Sequence, residues 1–156
     1  MSKYFANRSS VCNLIAAILM IVLLVLQFLP FWQYGEAQEH AVSIQGYIWF
    51  PTNHAELETS FKEATDSNYL VNSILPMALL VLFVGAIGAV LCVMKSDEPW
   101  VGVFPVACGA AGLWGFLTKV VYRMGTNWQL HAAVCVALIL VGAAGIYLGI
   151  KDQKSL

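Results

Sequence analysis

Residues 70–94 read LVNSILPMALLVLFVGAIGAVLCVM, 25 consecutive positions without a charge. A helix needs roughly 20 mostly apolar residues to cross about 30 Å of hydrocarbon, so a run of this length predicts a membrane-crossing helix. Three further runs have the same character: 11–29, 100–118 and 128–150, of 19, 19 and 23 residues. The first contains Asn13 and Gln27 as its strongly polar members, and the last carries Gln129 and His131 in its first turns. The four runs take up more than half of a 156-residue chain that is 60% hydrophobic and 11% charged, with a formal net charge of −1. Soluble domains average about 45–50% apolar and about 25% charged, so that class is excluded. Near-neutral charge provides no electrostatic footprint for nucleic acid, and four cysteines fall short of a disulfide scaffold. The expected fold is an all-α membrane protein, a four-transmembrane-helix bundle forming one domain over 1–156.

Aromatic residues stand at the edges of the runs. Phe31, Trp32 and Tyr34 follow the first, Tyr69 and Trp100 open the second and third, and Tyr122, Trp128 and Tyr147 attend the last two. Rings of this kind favour the headgroup level, so they read as an aromatic belt. Lys3 and Arg8 ahead of an apolar run also resemble a cleavable leader, with Gly35 and Ala37 at small positions. The run of 19 residues exceeds the roughly 7–15 of such leaders, and a retained helix is expected. Counting Lys and Arg between the runs sets five (Lys3, Arg8, Lys95, Lys151, Lys154) against three (Lys62, Lys119, Arg123). Both termini are therefore expected inside, in a bacterial plasma membrane by default.

The long outer loop, 31–69, carries six of the nine acidic residues. Its length predicts internal structure. Val42–Phe50 (VSIQGYIWF) is β-branched and aromatic and is expected to form a short strand or an aromatic segment, with Gly46 marking a bulge or turn. Asn53 and Glu56 have the spacing of a capping pair ahead of an amphipathic helix over HAELETSFKEA, residues 54–64. His40 and His54, near Glu36 and Glu58, read as solvated surface, and no metal or other cofactor is expected.

Helix packing in a bilayer relies on small residues that let backbones approach. Gly85 and Ala89 in the second run, Ala107, Ala111 and Gly115 in the third, and Ala137, Gly145 and Gly149 in the fourth are the expected packing positions, with Cys108 and Gly112 beside the third stripe. The first helix shows no Gly/Ala stripe and is expected at the periphery. Pro76 and Pro105 are expected about one turn inside their helices, able to kink them.

Little catalytic chemistry is present. No carboxylate lies within an apolar run, the cysteines Cys12, Cys92, Cys108 and Cys135 are not arranged as C-x-x-C, and one intramembrane histidine cannot supply two haem ligands. Metalloprotease, serine-hydrolase and phosphate-loop motifs are absent. An enzyme is not expected; a lipid-acting one survives only through the Lys119, Arg123 and His131 grouping. Two features remain. Asn72, Lys119, Arg123, Asn127 and His131 are candidates for an outer polar pocket, and Tyr47, Trp49 and Phe50 for a partner surface. The first class of function is a small membrane protein of assembly or interaction type, an accessory subunit or scaffold contacting lipid, a membrane-protein partner or a second copy of itself. The second is an oligomeric transporter or channel component with a polar outer vestibule. In topology alone the outline resembles the claudin-type tetraspan arrangement; the loop has Trp32 and Trp49 but lacks the two cysteines of that family's loop motif.

Overall fold

The computed structural model describes residues 7–37, 40–49, 56, 57, 59, 63, 74–118 and 125–155. Helix α1 (Arg8–Phe28) leads into strands β1 (Pro30–Tyr34) and β2 (His40–Ser43) and a short helix α2 (Ile44–Trp49). After it come α3 (Leu75–Met94), a 3-10 turn η1 (Pro99–Gly102) running into α4 (Val103–Thr118), and α5 (Trp128–Lys154). Helices α1, α3 and α5 are long and apolar enough to cross a membrane, and the apolar stretch of η1 and α4 is shorter. The helices form a ring in which α1 packs on α3 and α5, and α4 packs on the same two.

The outer surface of this ring is apolar, unlike that of a soluble protein, and several polar side chains are buried beside the hydrophobic core. Ile18, Phe83, Val90, Leu140 and Trp114 face outward, whereas Ser9, Ser10, Asn13, Gln27, Ser96 and His131 are buried. Contiguous apolar surface of this extent marks a lipid or protein environment. Helix α1 is fully engaged, contrary to its expected peripheral place. Its buried residues include Ser9, Asn13, Ala16, Met20, Leu23 and Gln27, an alternating four-three spacing along one face. That spacing is the seam of a left-handed helix bundle. The seam uses Ser and Asn as its small or polar members, so a search for glycine and alanine passes over it.

In α4 the inward face lies one to two residues away from the expected stripe. Ala107 is exposed and Ala111 half-buried, while Cys108, Gly109 and Gly112 are buried and Gly115 lies near the helix end. Added Cβ atoms at Gly102 and Gly142 would each come 2.8 Å from the other's carbonyl oxygen, which locates the closest crossing of η1 and α5. Gly85 approaches Cys108 and Leu24, and the buried Gly145 and Gly149 approach Asn13 and Pro99. Ala89 is buried, and Ala137 is half-buried.

Neither internal proline breaks a helix. Pro76 is the second residue of α3 as described, and Pro105 the third of α4, in first turns where a missing donor costs little. Continuation of the helix back through η1 would pair residue 105 with the carbonyl of Val101. The Cys92 thiol donates to that carbonyl instead, at 3.6 Å. Such repair of a freed carbonyl by a neighbouring helix is how proline is accommodated in apolar surroundings.

The loop contains a two-stranded antiparallel sheet, so the fold is not wholly helical. Trp32 pairs with Val42 and Tyr34 with His40, while Pro30 pairs with Ser43, leaving Phe31 as an extra residue in a bulge. In a regular strand successive side chains alternate faces; the bulge allows both Phe31 and Trp32 to be buried. These two rings are core, not part of an interfacial belt. Gly46, expected at a bulge or turn, sits inside α2, where Ser43 accepts a hydrogen bond from its N–H at 2.8 Å and caps the helix. Of the amphipathic helix expected over 54–64, Glu56, Leu57, Thr59 and Glu63 are described; Leu57 is buried and the other three exposed.

Candidate functional site

The sheet and α2 form a cap over the end of the bundle where α1 finishes and α5 begins. Beneath it lies a run of buried polar side chains. The Trp49 indole N–H donates to Gln45 Oε1 at 3.1 Å. Gln45 Nε2 donates to Gln27 Oε1 at 2.7 Å and to the Ala78 carbonyl at 3.0 Å. Gln27 Nε2 then lies 3.4 Å from His131 Nε2, and His131 Nδ1 lies 3.8 Å from Cys135 Sγ. The chain joins α2, α1, α3 and α5 through one set of contacts.

Its direction follows from chemistry. An indole nitrogen only donates and a backbone carbonyl only accepts, so both ends of the Gln45 amide are assigned by their partners. Gln45 must then donate to Gln27, which turns the Gln27 amide nitrogen toward the histidine. His131 Nε2 accepts that hydrogen bond, and the ring proton resides on Nδ1, facing the cysteine sulfur.

A ladder of rings runs alongside. Tyr47 meets Trp32 edge-on at 6.0 Å, Trp32 meets Phe31 at 4.8 Å, and Phe31 meets His131 at 6.1 Å. Edge-to-face geometry is the preferred arrangement for such pairs. The Phe31 ring occupies the space where a Cβ of Gly125 would stand, so any side chain at that position would have to displace the buried ring. The Phe31 carbonyl accepts from the Thr126 N–H at 2.7 Å and from the Thr126 hydroxyl at 3.2 Å. The bulge residue thereby ties the cap to the start of α5.

The residues expected to form an outer pocket are only partly brought together. His131 is 1% exposed and belongs to the buried chain, whereas Asn127 is exposed and precedes α5 without a side-chain cap. Asn72, Lys119 and Arg123 lie outside the described residues, as does Phe50. Tyr47, expected on a partner surface, is turned inward and is 4% exposed; Trp49 remains on the surface at 54%. Sequence reading missed Gln45 and the role of Gln27. The available signal was a side-chain amide within an otherwise apolar stretch, Gln27 in the first run and Gln45 in the aromatic segment, since an amide in such surroundings requires a partner. Among the described residues, no group of three or more His, Cys, Asp or Glu side chains converges as a metal site.

Fold and site together define a helical bundle of membrane-compatible surface with a capped, hydrogen-bonded polar interior at one end. Comparisons with protein families, curated proteins and solved structures return no match.

Proposed function

We propose that the protein is a multi-pass integral membrane protein that acts by assembly, offering its cap to a membrane-protein partner or to a second copy of itself. In this reading all four apolar helices cross the plasma membrane, both termini face inside by the Lys/Arg count, and the cap is outside. The observation that carries the reading is Trp49, whose ring is exposed while its indole N–H is held by the buried Gln45. A large aromatic side chain fixed before binding loses little entropy when it docks, and tryptophan is enriched among residues that dominate interface energetics. The vestibule reading has less support, because its histidine is covered by Phe31 and its amide neighbours are occupied by one another.

The test is recovery of assemblies from membranes in mild detergent. Unmodified protein is expected to elute with a partner or as a homo-oligomer, and Trp49→Ala to elute as a monomer. Trp114→Ala, which removes another exposed ring from a bundle helix, serves as the control and retains the assembly. A monomer in all three preparations overturns the proposal.

A further inference from the structure

Trp49 ends a helix of only six residues, yet the groups that set its ring lie within the bundle. Its N–H reaches Gln45 one turn back on the same helix, and Gln45 is fully buried where α2 packs on α1 and α3. A glutamine amide offers one oxygen and two N–H groups. In Gln45 the oxygen accepts from Trp49, one N–H meets Gln27 of α1, and the other meets the Ala78 carbonyl of α3. Contacts from three helices therefore fix a single amide plane.

These contacts are not interchangeable. The last torsion of a glutamine side chain is soft, without the narrow staggered wells of the torsions before it. With Gln27 withdrawn, the Ala78 carbonyl holds the Gln45 amide by one hydrogen bond, about which the amide can turn, carrying its oxygen away from the indole. Gln27 is itself fully buried and lies 3.4 Å from His131 in the first turn of α5. The orientation of a surface ring thus depends on α1 being closed against α3 and α5, through two amides that never reach the surface.

We propose that docking at Trp49 and closure of α1 on the bundle are one coupled equilibrium, with Gln27 as the positioning residue. This rests on the assembly reading above and adds its regulation. A closed bundle presents an ordered indole, whereas one in which α1 has moved off α3 or α5 presents a ring that must be ordered anew at each encounter. Coupling between two sites is reciprocal, so a partner that holds the indole also holds Gln27 on Gln45 and His131. Docking at the cap thereby becomes a check on completion of the bundle. A chain in which α5 is not seated lacks the histidine that holds Gln27 and offers no fixed anchor.

The test measures the fraction of the full chain recovered in assemblies from native membranes across a dilution series in mild detergent. Gln27→Met keeps the length of the side chain and removes its amide. It is expected to weaken assembly about two- to tenfold, the order set by re-fixing one large side chain on binding. Cys92→Ala removes a buried hydrogen bond away from the chain of amides and is expected to leave assembly unchanged. A second readout separates positioning from general loosening. In protein labelled with fluorotryptophan, the fluorine line that Trp49→Phe removes is expected to broaden in Gln27→Met and to stay sharp in Cys92→Ala. Should Gln27→Met fail to fold, His131→Leu, one contact further from Trp49, carries the same expectations. Assembly of Gln27→Met as tight as that of the unmodified protein, with Trp49→Ala monomeric, overturns the coupling and leaves the assembly reading standing. Assembly of Trp49→Ala like the unmodified protein overturns both. An unmoved fluorine line in Gln27→Met, or equal weakening by Cys92→Ala, also overturns the coupling.

Discussion

Gln27 is the side chain through which the buried chain passes from the cap into the bundle, because it accepts from Gln45 and donates to His131. Replacing it with leucine leaves a buried acceptor on the histidine and a lost partner for Gln45. An unsatisfied buried group costs about 1–3 kcal/mol, whereas interhelical hydrogen bonds in membranes average about 0.6 kcal/mol. Gln27→Leu is accordingly expected to lower stability by about 1–2 kcal/mol, read by denaturant titration in detergent. In a double-mutant cycle with His131→Leu, the combined loss is expected to be smaller than the sum of the single losses, since the double variant leaves no orphan between them. The assigned direction of the chain has its own check: nitrogen-15 spectra of labelled histidine should show the His131 ring protonated at Nδ1. Both residues stood out in the sequence as polar positions in apolar runs. Their pairing did not, because they are 104 residues apart and spacing along the chain carries no information about contacts between helices.

At the scale of elements, the charge-free apolar runs located the helices well, and the small-residue spacing located their faces less well. All four apolar runs contain helices close to the expected positions, but the inward face of α4 is defined by Cys108, Gly109 and Gly112 and not by Ala107. Two adjacent small-residue stripes were present, and only the position of α5 selects between them. A Cβ at Gly109 would lie 2.5 Å from the Cys135 carbonyl and 2.9 Å from Ile139. Gly109→Ala gains up to about 1 kcal/mol in helix propensity, yet the backbone it meets cannot move aside, and overpacking costs about 1–3 kcal/mol. Net destabilisation is expected, while Ala107→Val should change stability by no more than about 0.5 kcal/mol; thermal unfolding in one detergent compares the two. The connection between Cys92 and Pro105 gives another check. Cys92→Ala removes the donor to the Val101 carbonyl and is expected to lose about 1 kcal/mol, whereas the same change made in a Pro105→Ala background loses less because a backbone N–H is restored.

For the whole molecule, composition alone identified a membrane-compatible chain, and the outward-facing Ile, Leu, Val and Phe side chains give that composition its location. The cap was harder to read. The aromatic run after α1 has the composition of an interfacial belt, and only the bulge at Phe31 and its pairing with β2 turn it into core. The proposed disposition predicts that cysteines placed at Glu36 and at Gln153, each in a Cys12→Ala background, react with a membrane-impermeant maleimide from opposite sides. Labelling of both from the same side would rule out a helix number that places the cap and the C-terminus apart.

The polar seam of α1 also bears on the order in which the protein is made. Ser9 donates to the carbonyl of Gly145, Asn13 to those of Ser96 and Glu98, and Gln27 meets His131. Helix α1 therefore leaves the ribosome with a face whose named partners are all synthesised later, His131 and Gly145 only with α5. Until α5 emerges, α1 must remain where water or an insertion factor can satisfy those groups. A nascent chain arrested before residue 128 should thus expose α1 to quality-control proteases, and release of α5 should abolish that sensitivity.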